Sequence, residues 1–258
     1  MKARRNLIAA AAIVGLTAVL GNWLMAGDPN QTQSMAAFAA ADARGAVGTS
    51  IPQAKIVDEG SRSEPTIRIG QMGSTAAVEA IAERATLYEE DRDNPPGAQY
   101  EGTVSWRTGL LPASPRQPEG LGILADAEIP ERMRVTLSIR QNADVSLPAS
   151  HVAELAFELP VGFSNGGISS VKGILMKAGE QAKAIPLLAI VAKVRNNLFL
   201  IGLSNVEADR LRNVLSLKNN SRMDIAIVYE NQRRAILALE KGHAGGHAFD
   251  KAFAAWGQ

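Results

Sequence analysis

The sequence contains no cysteine among its 258 residues, which excludes disulfides, thiolate nucleophiles and cysteine metal ligands. Such an absence is compatible with an oxidising envelope compartment. Only three histidines occur (His151, His243 and His247), so histidine-based catalysis has few possible arrangements. Neither sign of charge predominates, since 27 basic residues face 26 acidic ones, and we therefore expect no nucleic-acid partner. The P-loop, Rossmann, H-E-x-x-H and G-x-S-x-G motifs are also absent.

An apolar run at the N-terminus is the most specific signal in the sequence. Lys2, Arg4 and Arg5 precede residues 7–26, which are almost entirely apolar and long enough to cross a bilayer core of roughly 30 Å. The basic flank predicts that the N-terminus stays in the cytoplasm and that the rest of the chain is exported. We therefore expect residues 1–26 to form a transmembrane signal anchor in the inner membrane, with the C-terminal part of the protein in the periplasm.

A cleaved signal peptide is the alternative, and it would leave a soluble periplasmic or secreted protein. A cut after Ala26 would place the large Leu24 at a position that favours small residues. Residues 37–39 fit the small-residue pattern, but they lie well beyond the apolar run. The adjacent Arg4 and Arg5 also allow a twin-arginine signal.

The remainder divides into a tether and one folded domain. Residues 27–83 are rich in Ala, Ser, Gly, Gln and Pro without a sustained apolar period, which predicts a flexible tether with at most a short helix. A short heptad-like seam runs from Val78 to Tyr88, and it allows self-association as a further alternative. Residues 84–258 are predicted to form the domain.

Strict alternation of apolar and polar residues characterises this domain. Residues 123–129 and 133–140 alternate without a break, as a sheet with one solvated face requires. The residues around them suggest eight to ten short strands separated by turns, with residues 108–119 as a proline-containing loop. The fold class that follows is mainly β, an antiparallel β-sandwich with one short internal helix and a short C-terminal helix, preceded by the N-terminal transmembrane helix.

Residues 185–240 form the densest apolar block and are predicted to be a hairpin, a helix and a second hairpin. Ser204 and Glu207 match a capping box for a helix over residues 206–217. We expect that helix to bury an apolar stripe. The stripe comprises Ala208, Leu211 and Leu215. A terminal helix is expected to bury an aromatic face. That face comprises Phe249, Phe253 and Trp256.

Several of these segments resemble known families. The runs at 85–91 (ATLYEED), 104–107 (VSWR), 147–151 (LPASH), 199–204 (FLIGLS) and 234–242 (RAILALEKG) look like a family of uncharacterised membrane-anchored alphaproteobacterial envelope proteins. More loosely, the order of elements in the C-terminal half is similar to the invasion-associated locus B family of secreted β-sandwich proteins. Members of the latter carry cysteines beside the helix, and this chain has none. This second resemblance implies an envelope location without enzymatic activity.

Metal-ligand residue types cluster only near the C-terminus, at His243, His247 and Asp250. Gly245 and Gly246 separate the two histidines and argue against a helix that would place them on one face. The sequence therefore predicts no metal site, with these three residues as weak candidates, and no cofactor.

Three other groups have residue types that carry chemistry. Ser150 and His151 invite a nucleophile–base interpretation, but neighbours on a strand point to opposite faces. Residues 89–91 could bind a cation, although an acidic strand end is the simpler interpretation. One strand and its turn carry arginines that could bind an anionic glycan or lipid head group, with a solvated face as the simpler alternative. These are Arg132, Arg134 and Arg140.

The function expected from the whole sequence is that of a non-enzymatic envelope protein with a binding or structural role. Its partners would be the inner membrane, through the N-terminal helix, and an unknown envelope protein or glycan. The alternative is a domain that binds or hydrolyses cell-wall glycan, which would require a carboxylate pair in a cleft. No catalytic residue and no cofactor-binding residue is assigned.

Overall fold

The computed structural model describes residues 82–91, 94, 97–112 and 119–258, which form eleven β-strands and two α-helices. The predicted anchor, nearly all of the predicted tether and residues 113–118 lie outside the described residues. Neither described helix is long and apolar enough to cross a membrane. The elements are β1 (Glu83–Glu89), β2 (Ala98–Pro112), β3 (Glu119–Ile129), β4 (Met133–Gln141), β5 (Ala149–Glu158), β6 (Ile168–Lys177), β7 (Ile185–Pro186), β8 (Ala189–Arg195), β9 (Leu198–Ser204), α1 (Glu207–Asn219), β10 (Arg222–Tyr229), β11 (Arg234–Glu240) and α2 (Gly242–Ala255).

Hydrogen bonds join all eleven strands into one antiparallel sheet, in the order β7-β6-β10-β11-β1-β2-β3-β4-β5-β9-β8. The two edge strands are separated by only Leu187 and Leu188 in the chain. The Leu187 N–H donates to Ile174 O in β6 at 2.9 Å, and the Ser204 N–H in β9 donates to Leu188 O at 2.8 Å. The sheet is therefore curled until its edges lie side by side.

The mainly antiparallel β class predicted from the alternation is confirmed. Both hairpins predicted within residues 185–240 are present, as the pairs β8–β9 and β10–β11. The division into two packed sheets stays a prediction, because the strands belong to one continuous sheet. The predicted loop at residues 108–119 is wrong in its first part, since residues 108–112 continue β2 and pair with β3.

The concave face of the sheet and the apolar faces of the helices enclose one hydrophobic core. On β3 and β4 every second residue is buried, as the period-two pattern predicts. Gly102 in β2 permits a close backbone approach, because a Cβ there would lie 2.0 Å from the Glu128 carbonyl oxygen. The largest fully buried side chains are Tyr229, Phe199, Phe249, Phe253, Leu87, Ile123, Ile129, Leu137, Ile139, Leu155 and Ile168.

Both helices lie at one end of the curled sheet, where β1 begins and β9 and β11 end. Phe249 and Phe253 on α2 are fully buried, which confirms the predicted aromatic face of the last helix. The Trp256 indole N–H donates to Leu121 O at 2.7 Å and fixes the end of the helix on β3. Lys241 joins the two helices, since its ammonium donates to Leu217 O at 2.7 Å and to Asn220 O at 3.0 Å.

The internal helix differs from its prediction in both its start and its buried face. No side chain caps its first turn from Val206, and the Ser204 hydroxyl donates instead to Asp209 at 2.8 Å, so the predicted Ser204–Glu207 capping box is wrong. The helix buries Val214 and Leu217 and leaves Leu211 60% and Leu215 49% exposed. The stripe predicted to face the core therefore faces outward.

Candidate functional site

A Ser–His pair lies at the helix-bearing end of the sheet, on β5. The pairing of β5 with β9 shifts by one residue between Ala149 and His151, so Ser150 occupies a bulge. A bulge breaks the alternation of side chains along a strand. His151 Nδ1 consequently lies 3.2 Å from Ser150 Oγ, whereas regular strand geometry predicted that the two side chains could not meet.

His151 is completely buried, and its ring lies 5.0 Å from that of Trp256 and 5.9 Å from that of Phe253, measured between centroids. Its Nε2 finds no hydrogen-bond partner among the described residues. Burial, followed by the positive charge of Arg210, lowers the pKa of His151 to about 4. The imidazole is therefore neutral at neutral pH and is a weak base.

A polar cavity of about 500 Å³ opens beside Ser150. Its lining residues are Gln141, Asn142, Ala149, Ser150, Asn205, Glu207, Arg210 and Gln258. The Ser150 hydroxyl also lies 3.3 Å from Leu203 O, to which it donates. That carbonyl competes with His151 Nδ1 for the hydroxyl proton. A nucleophile–base pair needs this proton directed at the histidine and a third group that orients the base, and His151 Nε2 has no such partner among the described residues.

The acidic strand end at residues 89–91 is part of a buried cluster at the opposite end of the sheet. Glu89 is only 2% exposed, and it accepts hydrogen bonds from Tyr229 Oη at 2.6 Å and from the Arg132 guanidinium. Arg132 stacks between two rings, with its Cζ 4.5 Å from the Tyr100 centroid and 5.0 Å from that of Phe163. Burial, reinforced by the carboxylate, raises the pKa of Tyr229. Glu89 thus has an internal cation as its partner.

The arginines considered as a possible anion-binding face have partners of their own. Arg132 belongs to the β3–β4 turn and binds Glu89, while Arg134 Nη2 donates to the Glu128 carboxylate at 3.0 Å. A small cavity of about 250 Å³ lies beside this turn, and exposed carboxylates of Glu128, Glu131 and Glu158 line it together with Arg132 and Arg134. Acidic and basic side chains therefore both line this cavity, which disfavours an anion site.

The weak metal candidates share the exposed side of α2. The glycines at 245 and 246 are helical, contrary to our prediction, so His243, His247 and Asp250 follow one another at helical spacing. All three are exposed, and the residues that the structure describes contain no group of three or more His, Asp or Glu placed to hold a metal ion.

A second buried charge network, which the sequence pattern did not predict, lies on the convex face of the sheet. Arg222 Nε donates to Asp224 Oδ1 at 2.6 Å, and both side chains are buried. Glu180, from the β6–β7 loop that covers this face, accepts from the Tyr88 hydroxyl at 3.0 Å and lies 3.8 Å from Arg84. Two charged residues on one face of an otherwise apolar strand could have signalled this network.

A cavity of about 740 Å³ forms an open groove between α1 and the segment that leads into β7. Its apolar lining includes the exposed Leu211 and Leu215, and its charged side chains are Lys183 and Arg212. We refer to it as the α1 groove. Its full lining is Lys183, Ala184, Ile185, Pro186, Ala208, Leu211, Arg212, Leu215, Ser216, Asn219 and Asn220.

Comparison with known proteins adds no relative, since no protein-family model, curated protein or solved structure matches the chain significantly. The function must therefore be argued from the residues themselves.

Proposed function

We propose that this chain is a non-enzymatic envelope protein, in which an N-terminal helix holds a β domain outside the inner membrane. The domain would bind an envelope protein or glycan, or serve a structural role. The basic residues before the apolar run at 7–26 support the membrane placement. The resemblance to membrane-anchored alphaproteobacterial proteins, and the looser one to the invasion-associated locus B family, point in the same direction.

The observation that carries the non-enzymatic part is the state of the Ser150–His151 pair. Proton transfer to His151 would create a cation in a fully buried aromatic setting close to Arg210, and the lowered pKa expresses that cost. The buried carboxylates Glu89 and Asp224 are both neutralised by arginines. These ion pairs stabilise the fold, which is a structural role.

The alternative, a glycan-binding or glycan-hydrolysing domain, receives less support from the geometry. Glycosidases use a pair of carboxylates about 5–9.5 Å apart across a cleft, one of them with a raised pKa. Around the small cavity at the β3–β4 turn, Glu128, Glu131 and Glu158 are all exposed, and Glu128 already pairs with Arg134. The surface carboxylates favour the non-enzymatic proposal.

The sandwich description of the domain also belongs to this proposal. The opposite arms of the curled sheet share one interior, in which Phe163, after β5, packs against Tyr229 of β10 at 5.5 Å between ring centroids. A sheet folded over itself in this way can pack as two facing layers.

A serine-reactive fluorophosphonate probe tests the absence of catalysis. We expect the full-length protein and its Ser150→Ala variant to label equally weakly, because the hydroxyl is not deprotonated by His151. Purified cell-wall glycan incubated with the protein should release no soluble fragments. Labelling that disappears in Ser150→Ala, or fragments whose release depends on Glu128 or Glu158, would overturn the proposal in favour of an enzyme.

Phosphatase reporters test the membrane topology. A phosphatase that is active only outside the cytoplasm should be active when fused after Ser34 and inactive when fused before Leu7. The reverse result would contradict the envelope placement.

A further inference from the structure

The α1 groove exposes apolar side chains on the surface of the domain. Helix α1 directs Leu211 and Leu215 outward beside Ala184, Ile185 and Pro186, and contiguous exposed apolar side chains of this kind are typical of a binding surface. The only charged groups in the groove lining are the cations of Lys183 and Arg212. An occupant should therefore be apolar with a negative charge.

The chain itself comes close to this groove where the described domain begins. Strand β1 starts at Glu83, and the Arg84 guanidinium lies 3.8 Å from the carboxylate of Glu180. Glu180 lies in the β6–β7 loop, three residues before Lys183, the first residue of the groove lining. Six residues of extended chain span about 20 Å, so the residues before β1 can reach the groove.

The sequence just before β1 has the composition that the groove requires. Residues 76–81 read Ala-Ala-Val-Glu-Ala-Ile, which places Glu79 as the single charge between Val78 and Ile81. Two branched apolar side chains suit the exposed leucines, and the carboxylate is complementary to Lys183 and Arg212. No cation occurs in this segment, so it brings no repulsion.

We propose that residues 76–81 dock in the α1 groove, with Val78 and Ile81 against Leu211 and Leu215 and with Glu79 beside Lys183 and Arg212. The docked segment would fasten the end of the tether to the helix-bearing end of the domain. This inference goes beyond the proposed function and does not depend on it.

Because the chain contains no cysteine, a thiol-specific cross-linker can join only the two cysteines that are introduced. In the full-length protein, Val78→Cys is combined either with Leu211→Cys or with Val161→Cys, which is exposed beyond the opposite end of β5. Docking predicts that a short bismaleimide closes the 78–211 pair at least about tenfold faster than the 78–161 pair, because docking raises the local concentration. Adding Glu79→Lys should slow the 78–211 reaction by about threefold, as expected for one exposed ion pair.

Three outcomes would overturn the proposal. Equal rates for the two pairs would show that residues 76–81 do not occupy the groove. Covalent dimers in place of intramolecular closure would show that a second copy covers it. Protection of the cysteine at 211 by vesicles of anionic phospholipid, with 78–211 closure at the control rate, would assign the groove to a membrane surface.

Discussion

Buried polar side chains connect distant parts of this fold. Glu89 of β1 joins Tyr229 of β10 to Arg132 of the β3–β4 turn, and Asn213 of α1 exchanges two hydrogen bonds of 2.9 Å with the backbone of Leu188. Each connection links residues far apart in sequence, so each can form only when the distant elements that carry them have packed together. At this scale, buried ion pairs and hydrogen bonds hold the interior together.

Replacing Glu89 should be costly because it leaves Arg132 without its partner between two aromatic rings. We expect Glu89→Ala to lower the free energy of unfolding by about 3–5 kcal/mol, which is typical of a broken buried ion pair. The matched control is Glu128→Ala, which removes an exposed partner from Arg134 and should cost less than about 1 kcal/mol. Urea unfolding measures both, and equal losses would refute the structural role of Glu89.

The neutral, buried His151 makes stability depend on pH. Its pKa in the folded protein is about 4, compared with 6.5 for an unperturbed histidine, so the unfolded chain binds more protons between these values. Stability should therefore be retained above pH 6.5 and fall as the pH drops towards 4, by about 3 kcal/mol at about 1.4 kcal/mol per pKa unit.

His151→Phe isolates this contribution, because phenylalanine keeps an aromatic ring against Phe253 and Trp256 but has no titratable group. Urea unfolding at pH 7 and pH 4.5 should show a smaller loss for the variant than for the unaltered protein. The same pH dependence in both proteins would mean that His151 is not held neutral.

The sequence showed that these residues have chemically interesting side chains, but it did not show which partners they contact. Residues 89–91 stood out as an acidic strand end, but the partners of Glu89 come from the β3–β4 turn and from β10, which a local pattern cannot reveal. Regular alternation along a strand predicted that Ser150 and His151 point to opposite faces. The bulge in β5 breaks that alternation, so the two side chains meet. Long-range pairing and irregular geometry account for both failures.

At the scale of elements, α1 shows how a helix can reverse its expected orientation. Leu211 and Leu215 were predicted to form a buried stripe, yet the helix buries Asn213, Val214 and Leu217 instead. The amide of Asn213 binds the two-residue link between the edge strands, and this polar requirement fixes the rotation of the helix. Strands β3 and β4, by contrast, followed their alternation because one face of each is enclosed and the other is solvated.

A pair of alanine substitutions tests this orientation. Leu217→Ala should destabilise the protein by about 2–5 kcal/mol, since it empties fully buried space. Leu211→Ala should cost about 1 kcal/mol or less, because Leu211 is 60% exposed among the described residues and only the proposed contacts with residues 76–81 would be lost. If thermal unfolding showed the larger loss for Leu211→Ala, this orientation of α1 would be wrong.

At the scale of the whole molecule, the curled sheet brings both helices and the start of β1 to one end. The sequence predicted the mainly antiparallel strands and the two hairpins, because those features repeat locally. It did not predict that Leu187 and Leu188 would connect opposite edges of one sheet, because this closure depends on the curvature of all the strands. In our proposal, the tether leaves from the helix-bearing end towards the membrane.

The most direct test of this account is protease treatment of intact spheroplasts, followed by mass spectrometry of the fragments. We predict cleavage within residues 27–75 and release of a soluble, folded fragment that contains the whole of β1 to α2. The membrane pellet should retain the N-terminal peptide. A chain that is cut only after the spheroplasts are lysed, or a domain that stays with the membrane after cleavage, would contradict a tethered domain outside the inner membrane.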